Sequence, residues 1–265
     1  MIDLLELPNR ISRLLREESD DLEFQSTFVS DRGERNSNDD RCFLDEDHGI
    51  YLLVDGIGGH AGGKYASQIA ASTISHAFES PEGTSACSCN EFEHCLETAV
   101  DKSCRSMTRL GHMNAKYEQM GCTLALAVRR KNKLYFTSAG CVRIYLSRRG
   151  KMRQLNHDDS LVQGLVDAHA VTAEDAKHHC WRNIITNSLT ANGFAHEPKW
   201  RSIDLQKHDQ VLIVTNGIYQ CLKDCEIQEI LSGSADVTEK AEQLVTKARD
   251  VENSHNASCI LVSAG

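Results

Sequence analysis

The sequence predicts an α+β fold in one main domain, and three observations carry that expectation. Short apolar runs of strand type come in groups, each followed by segments of helical periodicity, and then strands return. The chain has 265 residues, enough to bury one large core. It contains three prolines and no Pro/Gly-rich linker, so no internal boundary interrupts residues 23–265.

The elements follow in order. Residues 2–19 place Ile2, Leu4, Leu5, Ile11, Leu14 and Leu15 at roughly helical spacing broken by Pro8, which reads as an N-terminal helical extension over 1–22. Packing on the domain is its plain role; docking a partner is the sharper one. Strands are expected over 24–30, 41–45 and 50–54, the last a wholly apolar run of buried type. Ala66, Ile69, Ala70, Thr73, Ile74 and Ala77 give an amphipathic helix over 64–78. Phe92, Cys95, Leu96, Ala99, Val100 and Met107 give another over 91–110, leaving 79–90 as a loop. Strands return over 122–129, 133–139 and 142–147, and a hairpin at Arg148-Arg149-Gly150-Lys151 leads to one at 152–155. Residues 157–179 are polar and loop-rich, and a segment of that kind inside a compact domain points to function. Strands at 209–215 and 257–263 then bracket helices at 224–231 and 238–250.

Composition narrows the function class. A net charge of −9 argues against a nucleic-acid partner. The longest apolar runs fall short of the ~18 residues of a membrane span. The start, Met1-Ile2-Asp3-Leu4-Leu5-Glu6-Leu7, is acidic and unlike a signal peptide, so a cytoplasmic setting is expected. The eleven cysteines then read as reduced thiols. Cys87, Cys89, His94 and Cys95 match no standard zinc spacing.

The most informative stretch is Leu53-Val54-Asp55-Gly56-Ile57-Gly58-Gly59-His60-Ala61-Gly62-Gly63. A buried strand ends in a carboxylate, then a glycine-rich turn lets backbone approach a ligand closely, then a histidine follows. Carboxylate plus carbonyl suits a hard cation such as Mg²⁺ or Mn²⁺, and the histidine suits proton transfer. Other motifs accompany it: Arg35-Asn36-Ser37-Asn38-Asp39-Asp40 upstream, and downstream Met120-Gly121-Cys122-Thr123, Gly140-Cys141-Val142-Arg143, Arg182-Asn183-Ile184-Ile185-Thr186 and Thr215-Asn216-Gly217.

Their order and spacing, from about Phe24 to Val262, resemble the metal-dependent protein Ser/Thr phosphatases of the protein phosphatase 2C (PPM) family. The resemblance implies a four-layer sandwich, two antiparallel sheets flanked by helices, and a mobile flap within 157–179. It also implies a pair of divalent ions that activate a water and neutralise phosphate oxygens. Asp55 and the Gly56 carbonyl would bind metal, and Asp39, where the family commonly has Glu, would orient the metal's water. Arg35 would grip phosphate bidentately, His60 would protonate the leaving group, and Asn38 and Asp40 would pin the loop.

Three positions depart from the family pattern. Cys141, Asn216 and His255 stand where it has aspartates. Unit charges ~4 Å apart interact by roughly 4 kcal/mol at an effective dielectric of about 20, so losing two such partners weakens a second ion by several powers of ten. The sequence therefore favours one weakly bound Mn²⁺ or Mg²⁺ rather than two, and a pseudophosphatase-like regulator that binds phosphorylated Ser/Thr proteins, or a kinase partner, with weak or absent hydrolysis. The alternative is an active metal-dependent phosphatase in which Asn216 and His255 serve as altered ligands.

Overall fold

The computed structural model describes residues 22–57, 62–251 and 255–265. The expected extension at 2–19 and the candidate proton donor His60 lie outside the described residues.

The first strands are β1 (Phe24–Asp31), β2 (Asp40–Asp45) and β3 (Ile50–Gly56), followed by helices α1 (Gly63–Glu79), α2 (Pro81–Ser85) and α3 (Cys89–Met113). Next come β4 (Gly121–Arg130), β5 (Lys133–Ala139), β6 (Arg143–Arg148) and β7 (Lys151–Gln154), then α4 (Leu161–Asp167) and α5 (Ala173–His178). The chain closes with β8 (Leu189–Thr190), β9 (Arg201–Asp204), β10 (Gln210–Val214), α6 (Asn216–Tyr219), α7 (Asp224–Ser232), α8 (Val237–Asp250) and β11 (Ala257–Ala264). One sheet runs β1-β11-β10-β6-β7; the other runs β2-β3-β4-β5-β9, with β8 beside β4. Pairing is antiparallel throughout the described ladders.

Four layers follow from strand alternation. In β3, Tyr51 and Leu53 point to the opposite sheet and pack with Ile144, Val211, Ile213 and Ile260. Ile50, Leu52 and Val54 point the other way, against Ala70, Ile74 and Phe78 of α1 and Phe92 and Leu96 of α3. Burial on both faces is why this strand reads as an unbroken apolar run. The outer face of the first sheet (Tyr145, Leu212, Val214, Leu261) is covered by Ile227 and Leu231 of α7 and Ala241 and Leu244 of α8.

Two expected loops contain helices. Within 79–90, Ser80 caps α2 by accepting from the Gly83 amide at 3.2 Å, with Pro81 as first helical residue. Ser88 and Glu91 form a cap that starts α3 at Cys89: the Ser88 hydroxyl donates to Glu91 Oε2 at 2.6 Å and accepts from the Glu91 amide at 3.4 Å. Within 157–179, Ser160 and Thr172 cap α4 and α5 by accepting from the Gln163 and Asp175 amides at 3.2 and 3.1 Å. The eleven cysteines are free thiols. Among the described residues no helix is long and apolar enough to cross a membrane.

Both sheets bring strand ends to the same place. Asp55 of β3 lies across from Asp40 of β2 on one side and Thr123 of β4 on the other. The β10 end with α6, and the β11 start, meet this corner from the other sheet: the Thr215 amide donates to the Ser258 carbonyl at 3.1 Å.

Candidate active site

The corner is built around Asp40. Its Oδ2 accepts from the Ser258 hydroxyl at 2.6 Å and the Thr215 hydroxyl at 3.0 Å, so one carboxylate of the second sheet is tied to two residues of the first. Its Oδ1 is buried with no hydrogen-bond partner among the described residues. Burial, only partly offset by the two hydroxyls, pushes its carboxyl up to about 6. Asp55 is pushed well above the ordinary carboxylate range, first by burial, then by Asp40 and Asp39. Gly56 must be glycine: a Cβ there would meet the Gly63 carbonyl oxygen at 2.4 Å, so only a bare backbone lets β3 pass this close to the start of α1.

The turn before β2 is fastened from several sides. Asn256 donates through Nδ2 to the carbonyls of Arg32 (2.7 Å) and Ser37 (2.9 Å) and accepts from the Asp39 amide (2.9 Å). Asn38 donates to the Ser30 hydroxyl at 2.8 Å and accepts from the Asp40 amide at 3.1 Å. The Ser37 hydroxyl donates to Asp39 Oδ1 at 2.7 Å.

These elements enclose a cavity of about 520 Å³. Seven of the residues singled out in the sequence line it: Arg35, Asp39, Asp55, Gly56, Cys141, Asn216 and His255. Asn38 and Asp40 do not line it; they sit behind it as fasteners. The cavity also takes Arg182, Asn183 and Tyr219, to which sequence reasoning gave no individual role, although the Arg182–Thr186 motif pointed to the region. Cys141 is buried, with its thiol pushed up mainly by burial and so held protonated. Its carbonyl accepts from the Tyr219 hydroxyl at 2.8 Å. The Tyr219 ring lies under the Arg143 guanidinium at 3.8 Å, and Asp158 holds that guanidinium by Nε and Nη2 (2.7 Å for the shorter contact). His255 is depressed below its ordinary value by burial, then by Arg35 and Arg182, so its imidazole is neutral at pH 7.

The donors suit a hard divalent ion on the Asp55 side. Buried carboxylates crowded together, one with an unpartnered oxygen, require either a proton or a cation. Mg²⁺-type ions take one or two carboxylates and complete their shell with water. Among the described residues no group of three or more His, Cys, Asp or Glu side chains is arranged as an ion cage. On the other side Cys141, Asn216 and His255 bring no carboxylate.

A family model for protein phosphatase 2C matches residues 30–259. The chain belongs to the protein phosphatase 2C family. It is 29% identical to the serine/threonine phosphatase stp of Listeria innocua, over 89% of this chain and 94% of that one. It is 31% identical to the serine/threonine protein phosphatase PstP of Mycobacterium tuberculosis, over 83% of this chain and 41% of that protein. The crystal structure of the M. tuberculosis PstP/Ppp phosphatase superposes with a TM-score of 0.80 at 27% identity, covering 91% of this chain and 98% of that chain. A PstP catalytic domain in complex with two manganese ions superposes at 0.78 and 26%, covering 92% and 99%. The protein phosphatase 2C sandwich expected from the sequence is thus the fold observed, and the chain is a protein phosphatase 2C-like protein.

Proposed function

We propose that this chain is a metal-dependent phosphatase of phosphoserine and phosphothreonine proteins whose metal centre is altered on one side. The carrying observation is that Arg35, Asp39, Asp55 and Gly56 line the same cavity as Asn216 and His255. Asp55 and the Gly56 carbonyl would hold a divalent ion, with Asp39 as an outer partner. Among the described residues, Asn216 and the neutral His255 imidazole offer oxygen and nitrogen donors on the other side, a set better suited to Mn²⁺ than to Mg²⁺. When bound, the ion would activate water and neutralise charge on the phosphoryl group. Arg35 would orient the phosphate through its guanidinium fork. His60 is the sequence's candidate for protonating the departing Ser or Thr oxygen. The likeness to proteins named as Ser/Thr phosphatases supports this reading over the regulator favoured by sequence alone.

The second reading keeps specific support. Among the described residues, Asp39 and Asp55 are the carboxylates lining the cavity, too little negative charge to hold a +4 ion pair firmly. In that case the chain retains phosphoproteins and turns them over weakly or not at all. One experiment separates the two. Hydrolysis of a phosphothreonine peptide is measured with Mn²⁺, Mg²⁺, Fe²⁺ and Zn²⁺ in turn, for the natural chain and for a variant carrying Asn216→Asp and His255→Asp. Metal-dependent turnover by the natural chain, strongest with Mn²⁺, supports the first reading. Silence with every ion, relieved by the double variant, overturns it in favour of the second.

A further inference from the structure

We infer that the outer face of α3 is a self-complementary docking surface, on which a second copy of this chain binds antiparallel about a two-fold axis.

α3, with 25 residues, is the longest helix among the described residues. Its inner face belongs to the core: Phe92, Leu96, Ala99 and Met107 are buried in the cluster shared with α1 and the second sheet. On its outer face the charges are sorted by sign. Glu97, Asp101, Arg105 and Arg109 are all exposed and follow at intervals of four, so they form one ridge, acidic in its first half and basic in its second. Among the described residues Asp101, Arg105 and Arg109 make no ion pair, and Glu97 meets the exposed His94 at 3.8 Å. The hollows beside the helix are sorted in the same way. The one along the first half, about 100 Å³, is lined by Glu93, Glu97 and Asp101 and by Glu197 from the β8–β9 connection. The one along the second half, about 590 Å³, is lined by Arg105, Arg109 and His112 and by Met113, whose apolar side chain is 76% exposed.

The spacing is what points to a second copy. Glu97 and Arg109 are equally far from Ser103, and so are Asp101 and Arg105. When two such ridges lie antiparallel about a two-fold at Ser103, Glu97 of each copy opposes Arg109 of the other, and Asp101 opposes Arg105. Ridges of residues four apart lie alongside one another in the commonest helix-packing class, with axes crossing at about −50°. The two-fold makes each pair twice, as a closed dimer interface requires. A polyanion would be repelled by the acidic half and a basic peptide by the basic half. The fitting partner carries both signs in reverse order, and this ridge turned end for end is such a partner. None of these residues lines the cavity around Asp55, so the dimer leaves it open and the inference is independent of turnover. One polar helix face gives a weak, salt-sensitive dimer.

The test is sedimentation velocity of the full chain, from about 1 to about 200 μM, in about 50 mM and about 500 mM salt. The natural chain should pass from monomer to dimer with concentration in low salt and return toward monomer in high salt. Arg105→Glu with Arg109→Glu makes the ridge wholly acidic; Glu97→Lys with Asp101→Lys makes it wholly basic. Each double variant turns four attractive contacts into repulsive ones and should weaken self-association by about tenfold or more. An equimolar mixture of the two should recover a 1:1 complex, which misfolded chains would not form. All four sites are exposed, so both variants should keep the parent's thermal midpoint, checked alongside. A natural chain that stays monomeric throughout in low salt, a dimer that both double variants keep, or a mixture that fails to pair overturns the inference.

Discussion

Asn256→Ala tests how far the site depends on one side chain. Asn256 makes three hydrogen bonds to the 32–39 turn: 2.7 Å to the Arg32 carbonyl, 2.9 Å to the Ser37 carbonyl and 2.9 Å from the Asp39 amide. Each links residues more than 200 positions apart in sequence, so no local structure compensates. At about 1 kcal/mol net per bond, discounted for partial exposure, the loss should be about 2–3 kcal/mol. For a domain of this size that lowers the thermal midpoint by roughly 5–10 °C. Urea unfolding followed by fluorescence of the two tryptophans gives the stability change. The same variant frees the turn that carries Arg35 and Asp39, so phosphopeptide affinity should fall with it. Asn256→Asp is the sharper control. It keeps the acceptor for the Asp39 amide but places carboxylate oxygens against two carbonyls, and it should be at least as destabilising. A loss below about 0.5 kcal/mol with phosphopeptide affinity unchanged would refute the view that this side chain assembles the turn.

Other outcomes follow from the same corner. Asp55→Asn should abolish metal-dependent hydrolysis yet raise the thermal midpoint in chelator, because it removes a buried charge set against Asp40 and Asp39; a lower midpoint would contradict this. The pH dependence of stability should carry a signature of Asp40. Its folded value, about 6, lies above the unfolded one near 3.9, so the native state binds the proton more tightly; in metal-free protein this group's contribution is most favourable below about pH 4 and falls as pH rises to about 6. Urea midpoints from pH 4 to 8 should show that decline in the natural chain and less of it in Asp40→Asn; superimposable profiles would remove Asp40 as the source. Gly217→Ala would put a Cβ 2.1 Å from the Asn256 carbonyl oxygen, so it should cost about 2 kcal/mol or more, read by thermal unfolding, and activity should fall with it.

Much of this architecture was readable because periodicity mirrors burial. The 50–54 run is apolar throughout because both of its faces are covered, and the 64–78 and 91–110 repeats face that same sheet. The misses have equally physical causes. Helices α2, α4 and α5 span five to seven residues, too short for periodicity to register, and are marked instead by capping residues Ser80, Ser160 and Thr172. Strands β8 and β9, two and four residues long, offer little pattern. At the site, Asp55, Gly56, Asp39 and Arg35 were legible because they sit in compact motifs around one strand end and one turn. Arg182 and Tyr219 were not, because nothing in a linear sequence says that residues 182 and 219 share a cavity wall with residue 35. Asp40 was expected to pin the loop, but its partners, 175 and 218 positions away, could not be read from the sequence.

That last contact also acts as a ruler. Asp40 reaches from one sheet to Thr215 and Ser258 of the other, so the spacing of the two sheets at this end is set to the length of an aspartate side chain. A residue one methylene longer would wedge the layers apart where the cavity opens; a shorter one would let them settle together. The separation of the two layers beside the cavity is thereby tied to a side chain that does not line it.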